Sequence, residues 1–192
     1  MKSTIVLFGG FLLSSLLHAQ PGATHFGLKA GLNVSSVAVS GDNNFNSKLG
    51  FYAGGLAHIH INKSWAVQPE IMYSAQGGKD GDQKLNLGYI NIPVQLQYMF
   101  DNGFRLQTGP QLGFLTAANV KSGNIKYDVK DGLTNADFSW SFGASYLSKS
   151  GLGADLRYNL GLTDIDKSNP VEYKNQVLQL GLFYQFMHQH KK

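Results

Sequence analysis

The sequence Gly-Leu-Gly-Ala-Asp-Leu-Arg-Tyr-Asn-Leu-Gly-Leu, at residues 151–162, alternates between two kinds of side chain. Every second residue is apolar, and the residues between them are glycine or polar. Because successive side chains of a strand point to opposite faces, this pattern predicts a strand with one apolar and one polar face. The pattern recurs about eight times along the chain. Whether the apolar faces meet a core or a lipid bilayer separates a soluble barrel from a membrane barrel.

The amino-terminal residues have the pattern of a secretory signal. Lys2 precedes an apolar segment over residues 5–17, and Ala19 offers a small residue at which cleavage can occur. No later segment approaches the roughly 20 apolar residues that a spanning helix needs, so a membrane-inserted chain must cross as strands. We therefore expect a cleaved signal peptide over 1–19, a single β-barrel domain over 20–187 and a short periplasmic tail over 188–192.

The predicted strands are joined by connections that alternate between short and long. Asp-Asn-Gly at 101–103 is a strong signal for a tight hairpin. Short turns are predicted at 62–63, 101–103 and 148–150, and long loops at 36–47, 76–84, 117–136 and 163–174. The strands are expected near 25–35, 48–61, 64–75, 85–99, 104–116, 137–147, 151–162 and 175–187.

Strict alternation of this kind is typical of outer-membrane barrels, whose short turns face the periplasm and whose long loops lie outside the cell. An even number of strands returns the chain to the side on which it started. We therefore predict an all-β fold, an eight-stranded antiparallel up-and-down transmembrane β-barrel. Its location is the outer membrane, and both termini are expected in the periplasm.

The polar face of the predicted strands is rich in glycine, serine and amide residues and poor in charge. In a soluble barrel this face would meet water, where lysine and glutamate are common. In a small membrane barrel it lines a narrow interior that side chains fill. We predict a lumen plugged by a structural ion-pair network centred on Glu70, with no open pore. The charged residues of this face are Lys29, Glu70, Arg105, Asp155 and Arg157.

Aromatic residues of the apolar face cluster toward the strand ends. Two belts of aromatic side chains are expected where a barrel crosses the two membrane interfaces, whereas a soluble core has no need of them. The belt near the short turns comprises Trp65, Tyr98, Phe104, Tyr146, Tyr184 and Phe186. The belt near the long loops comprises Tyr73, Phe114, Phe138, Trp140 and Tyr158.

Several motifs of the strands resemble a known family. They are Phe-Gly-Leu-Lys-Ala-Gly-Leu-Asn at 26–33, Leu-Gly-Phe-Tyr-Ala-Gly-Gly at 49–55, Gln-Pro-Glu-Ile-Met-Tyr-Ser-Ala-Gln-Gly at 68–77 and Tyr-Ile-Asn-Ile-Pro-Val at 89–94. In these the chain resembles the PorT-like bacterial outer-membrane β-barrel proteins. The resemblance spans essentially the whole mature chain and implies an outer-membrane barrel, often of unassigned role. One namesake is linked to protein secretion, and no residue here carries that role over.

The net charge of +4 does not indicate a nucleic-acid-binding protein. The excess comes from the short turns and the tail, and no predicted loop is a basic patch. The expected partners are outer-membrane lipid and a protein or surface ligand at the extracellular loops, with no nucleic acid. The charges responsible are Lys63, Lys149, Lys191 and Lys192, offset by Asp101.

The histidines favour a structural role over a metal site. His58 and His60 share one strand face, which is a spacing that can direct two imidazoles at one metal. His188 and His190 lie at the same end in the tail, and no carboxylate or cysteine accompanies them. Acidic loop segments at 40–44, 79–83 and 163–166 lack the defined loop of a calcium motif and are typical of polar turns. We expect neither a metal nor a cofactor.

The sequence favours a structural or interaction role through the long extracellular loops. A serine hydrolase acting on lipid would need a histidine beside the outer serines and acids, such as Ser40, Asp137, Asp164 and Asp166. Every histidine of the mature chain is instead predicted near the periplasmic end, so we do not expect an enzyme. Two alternatives stay open: a soluble periplasmic barrel that binds an apolar ligand, and a lipid-modifying outer-membrane enzyme.

Overall fold

The computed structural model describes residues 24–39, 46–123, 125–164 and 173–186. The predicted signal peptide and the predicted tail lie outside the described residues. The strands within them are β1 (Thr24–Val39), β2 (Lys48–His60), β3 (Trp65–Asp80), β4 (Gln83–Met99), β5 (Phe104–Ser122), β6 (Ile125–Asp128), β7 (Ala136–Leu147), β8 (Leu152–Gly161) and β9 (Tyr173–Gln185). A single 3-10 turn, Lys130–Gly132, follows β6.

Eight of these strands form a closed antiparallel barrel. Each strand of the ring pairs with the next one in chain order, except that β5 skips β6 and pairs with β7. Strand β9 pairs with β1 and so closes the ring. The short strand β6 lies outside the ring and pairs with β5. The predicted eight-stranded up-and-down barrel is therefore confirmed. Closure leaves no unpaired strand edge within the ring, as a strand structure in lipid requires.

The barrel has a polar interior and an apolar exterior. Glu70 is 2% exposed and Arg157 is 1% exposed, whereas Phe26 and Leu180 on the outside are 65% and 62% exposed. A soluble barrel that carries an apolar ligand would have these faces reversed, so the structure contradicts that alternative. Among the described residues, no helix is long and apolar enough to cross a membrane.

The two predicted long loops at 76–84 and 117–136 are wrong as loops. Strands β3 and β4 continue to Asp80 and Gln83, and a tight turn joins them at Gly81, where φ is +52°. Residues 117–136 likewise contain the end of β5, the strand β6 and the 3-10 turn. These extensions rise beyond the apolar band, where no lipid selects an alternation of apolar residues, and their strand pattern is correspondingly weak.

The end of the barrel that carries these extensions is closed by an apolar cluster inside the ring. Its buried members are Val37, Leu87, Tyr89, Leu115 and Ala118, against which Leu85, Val129, Leu133 and Tyr173 pack. The cluster joins β1, β4, β5 and β9 with the segment after β6. It anchors both extended hairpins to the barrel. The described chain ends, near Thr24 and Gln185, lie at the opposite end beside the short turns.

Candidate functional site

The lumen contains a bidentate ion pair that spans the barrel between β3 and β8. Arg157 Nη1 donates to Glu70 Oε2 at 2.9 Å, and Nη2 donates to Glu70 Oε1 at 2.8 Å. Gln68 Nε2 also donates to Glu70 Oε1, at 2.7 Å. Two parallel charge-assisted bonds of this kind fix the geometry of both side chains.

A second ion pair lies against the first. Lys29 Nζ is 2.6 Å from Asp155 Oδ1 and 3.7 Å from Glu70 Oε1. Gln107 Nε2 donates to Asp155 Oδ2 and so holds the other carboxylate oxygen. The four charged side chains are at most 1% exposed, and two cations balance two carboxylates. Buried charges persist only when they are paired and hydrogen-bonded in this way.

Arg105 lies apart from this cluster. It is buried, at 6% exposure, and its Nη1 has no hydrogen-bond partner within the described part of the chain. The structure therefore brings together Lys29, Glu70, Asp155 and Arg157 and places the fifth predicted lumen charge toward the short turns. Sequence parity identified the inward face but not which inward residues meet across the barrel.

Glycines on the inward face make room for large aromatic side chains. A Cβ added at Gly153 would collide with the ring of Phe183, and one added at Gly181 would collide with Tyr52 Oη. Tyr52 and Phe183 are buried, at 1% and 6% exposure. Side chains thus occupy the space that the glycines leave, as expected for a barrel of eight strands.

The three described histidines lie together at the end with the short turns. The ring centroids of His58 and His60 are 4.6 Å apart, and those of His25 and His60 are 5.5 Å apart. His58 Nδ1 lies 3.3 Å from Gln68 Oε1. Within the described ranges no group of three His, Cys, Asp or Glu residues is arranged to hold a metal ion. His188 and His190 lie outside those ranges.

All eleven predicted belt aromatics lie on the exposed outer surface. At the short-turn end Trp65 contacts Tyr98 with ring centroids 5.0 Å apart, and Tyr98 contacts Phe100 at 4.9 Å. Phe100 is an exposed member of this group that was not predicted: it continues the outward parity of Leu96 and Tyr98 but follows residue 99, where the predicted strand ends. At the other end Tyr73 contacts Phe51 at 5.9 Å.

Of the four outer residues considered for a hydrolase, the structure describes Asp137 and Asp164. Asp137 is buried at the outer end, and its Oδ1 has no hydrogen-bond partner among the described residues. All described histidines lie at the opposite end of the barrel. Ser40 and Asp166, two further predicted loop residues, lie outside the described residues. Asp164 is described, and its Oδ1 accepts from the backbone N–H of Tyr173 at 3.0 Å.

Comparisons with known proteins agree with this architecture. The family described as "Outer membrane protein beta-barrel domain" matches residues 18–167. Neisserial surface protein A is 19% identical, with a TM-score of 0.62 over 84% of this chain and 97% of that chain.

The attachment invasion locus protein Ail of Yersinia pestis is 16% identical, with a TM-score of 0.56 over 84% of this chain and 98% of that one. At these identities the likeness shows a shared fold. No curated protein matches the chain in sequence.

Proposed function

The chain belongs to the family of outer membrane protein β-barrel domains, and from this premise we propose that it is an interaction-bearing barrel. Its place is the outer membrane. In this proposal the extended hairpins β3–β4 and β5–β6 present a binding surface to the outside, and the lumen serves only to hold the barrel together. The finer membership, in the PorT-like proteins, is also a proposal and is supported by the four motifs of the strands.

The observation that carries this proposal is the anchoring of the outer hairpins. Leu85, Leu87 and Ala118 of β4 and β5 belong to, or pack against, the apolar cluster that closes the barrel. Binding residues are commonly placed on surface segments that a rigid scaffold positions. Strands that continue beyond the membrane on a packed cluster form a defined surface, which a flexible loop would not.

The proposal includes neither a pore nor an enzyme. The cross-lumen pairs and the aromatic side chains within the ring support a filled interior. A lipid-modifying activity would need an acid, a base and a nucleophile at one interface, and the described histidines lie at the other end from Asp137. Both points support a role that is carried by the outer surface.

The experiment that tests the proposal replaces residues 119–133, which carry the β5–β6 hairpin, with a short Asn-Gly turn. Partners are cross-linked in intact cells and recovered from the membrane fraction. We expect partners recovered with the natural chain to be lost. The matched control replaces residues 148–150 at the short-turn end and should keep them. Heat-modifiable gel migration verifies that both variants fold, and an unchanged set of partners in the hairpin variant contradicts the proposal.

A further inference from the structure

The two outer hairpins place four lysines in one row. Lys79 is the cross-strand partner of Lys84, Lys84 is the partner of Lys121, and Lys121 is the partner of Lys126. Directly opposed residues of a sheet lie on the same face. The four exposed side chains therefore stand side by side across β3, β4, β5 and β6. We call this set the lysine row.

The lysine row faces away from the barrel interior. The residues that neighbour these lysines in the chain point the other way, toward the interior. Gly78, before Lys79, is buried, and Leu85, after Lys84, packs on the apolar cluster. In the adjoining outward positions Asn86 pairs with Asn119, and Asn119 with Asp128. Asp128 Oδ1 accepts from the backbone N–H of Lys130 at 2.9 Å.

Folding alone does not account for the lysine row. Like charges directly opposite each other in a sheet are destabilising, and this sheet has three such pairs in succession. Among the side chains that the structure describes, no carboxylate forms an ion pair with any of the four lysines. Burial, and then the charge of Lys79, lowers the pKa of the neighbouring Lys48. Among the described side chains, the positive charge of the row is therefore not neutralised by an ion pair.

The height of the lysine row indicates what can reach it. Lys79 follows the exposed aromatic Tyr73 by six residues, which is about 20 Å along a strand. At a strand tilt of about 40° the row stands about 15 Å beyond that aromatic level. The headgroup region adds only about 5 to 8 Å to the hydrocarbon core on each side. The row thus lies above the lipid phosphates, at the level of surface glycans.

A cleft adjoins the middle of the row. Its volume is about 540 Å³, and it lies between the two hairpin tips. Lys84 and Lys121 line it together with the hydroxyl-bearing Ser122, and Asp82 adds one carboxylate. Neighbouring strands lie about 4.8 Å apart, so the four lysines span about 14 Å. This shape suits a chain of anionic groups better than a single small ion.

We propose that the lysine row binds an extended polyanionic glycan, whose sulfate, phosphate or carboxylate groups pair with successive lysines. The inference rests on the proposed function, because it names the partner class of the same outer surface. The cleft beside Lys84 and Lys121 receives one anionic group, and the flanking lysines receive its neighbours. The glycan is either anchored to lipid in the same membrane or free in the surroundings.

The test measures binding of the folded barrel in detergent to dextran sulfate, with uncharged dextran as the comparison. The variant K79Q/K84Q/K121Q/K126Q removes the row, and K63Q/K149Q removes two lysines from the short turns as the matched control. We expect binding that weakens with salt, because screening reduces the attraction between exposed charges. The row variant should lose at least tenfold in affinity, and the control variant should lose less than twofold.

Three outcomes overturn the glycan site. These are equal binding by the row variant, equal binding to uncharged dextran, and equal binding to vesicles of phosphatidylcholine and phosphatidylglycerol that carry no glycan. Dextran sulfate coupled to lipid in vesicles, compared with the free polymer, distinguishes an anchored from a free source.

A single substitution separates binding from structural support. Lys84→Glu sets opposite charges against both Lys79 and Lys121, so the hairpins should become more protected from amide hydrogen exchange while dextran sulfate binding falls. Reduced protection together with reduced binding would assign the lysine row to folding instead. If the row variant binds dextran sulfate as well as the natural chain while a protein partner is still lost with the β5–β6 hairpin, the proposed function stays intact and only the glycan site is overturned.

Discussion

Arg157 and Glu70 show how one pair of side chains determines the interior of the barrel. They are 87 residues apart in sequence and form two short hydrogen bonds across the lumen. Removing one member of a buried pair leaves the other charge without compensation, whereas replacing both with apolar groups is far less costly. Since Lys29 and Asp155 form their own contact at 2.6 Å, they can stay paired when the first pair is removed.

We expect Arg157→Met to lower the free energy of unfolding by about 3 to 5 kcal/mol. The double variant Glu70→Met with Arg157→Met should recover most of that loss. Urea unfolding of the barrel in detergent or lipid measures both values, and the two single variants complete a double-mutant cycle. A double variant that loses the sum of the two single losses would show that the pair has no coupling.

Leu156 lies next to Arg157 in the chain but on the opposite face, where it is 50% exposed. A charge at the centre of the lipid-facing surface costs about 2 to 4 kcal/mol, and this falls to about 0 to 1 near an interface. We therefore expect Leu156→Arg to impair insertion. Leu162 follows the end of β8 and is similarly exposed, at 47%. We expect Leu162→Arg to be tolerated. Refolding yield into lipid vesicles measures the difference, and equal yields would contradict a lipid-facing position for Leu156.

The β3–β4 hairpin shows how a tight turn allows two strands to extend beyond the membrane. Residues Asp80 and Gln83 are still paired, and Gly81 turns the chain with φ at +52°. A two-residue turn with glycine at its first central position matches the twist of the flanking strands. The hairpin is therefore continuous with the barrel wall, which places its lysines at defined positions relative to those of β5 and β6.

Gly81→Ala should loosen this hairpin without steric conflict, because a Cβ at Gly81 meets no atom within 4 Å. A left-handed conformation costs a residue with a Cβ about 1 to 2 kcal/mol. Amide hydrogen exchange of the hairpin should therefore accelerate about 5- to 30-fold. Gly132 has equally open space and no positive φ, so Gly132→Ala is the matched control. Similar exchange in both variants would mean that the turn conformation contributes nothing to the hairpin.

The whole barrel is a closed ring with two different fillings. Polar side chains and ion pairs occupy the level of the membrane, and the apolar cluster around Leu87 and Leu115 closes the outer end. This order suits a short barrel, because polar groups inside the ring pair with each other while the outer hairpins gain a packed base. The outer end is then available for recognition.

A filled lumen predicts that the protein conducts no ions. Planar bilayer recordings of the inserted barrel should stay at the background level, and a larger porin in the same bilayer serves as the positive control. The double variant Glu70→Ala with Arg157→Ala lacks the central pair and is therefore a stricter test of the filled lumen. Regular conductance steps with the natural chain would contradict a structural role for the lumen network.

Much of the architecture could be predicted because its cause is local. Alternation at 151–162 predicted strand β8, its parity predicted which side chains point inward, and the tight turns predicted the chain reversals. The outward aromatics and the inward Glu70 and Arg157 follow from the same parity. The extended hairpins were missed because Gly77 and Gly78 interrupt the apolar alternation just where the strands leave the lipid.

The period-two pattern establishes on its own which face of each strand is apolar, since neighbouring side chains must point in opposite directions. It does not establish which residues meet across the ring, because that depends on the pairing register of every strand and on closure between β1 and β9. The Arg157–Glu70 pair is therefore a product of the closed barrel. The lysine row likewise exists only because two hairpin registers and the β4–β5 pairing bring lysines from separate segments to one level.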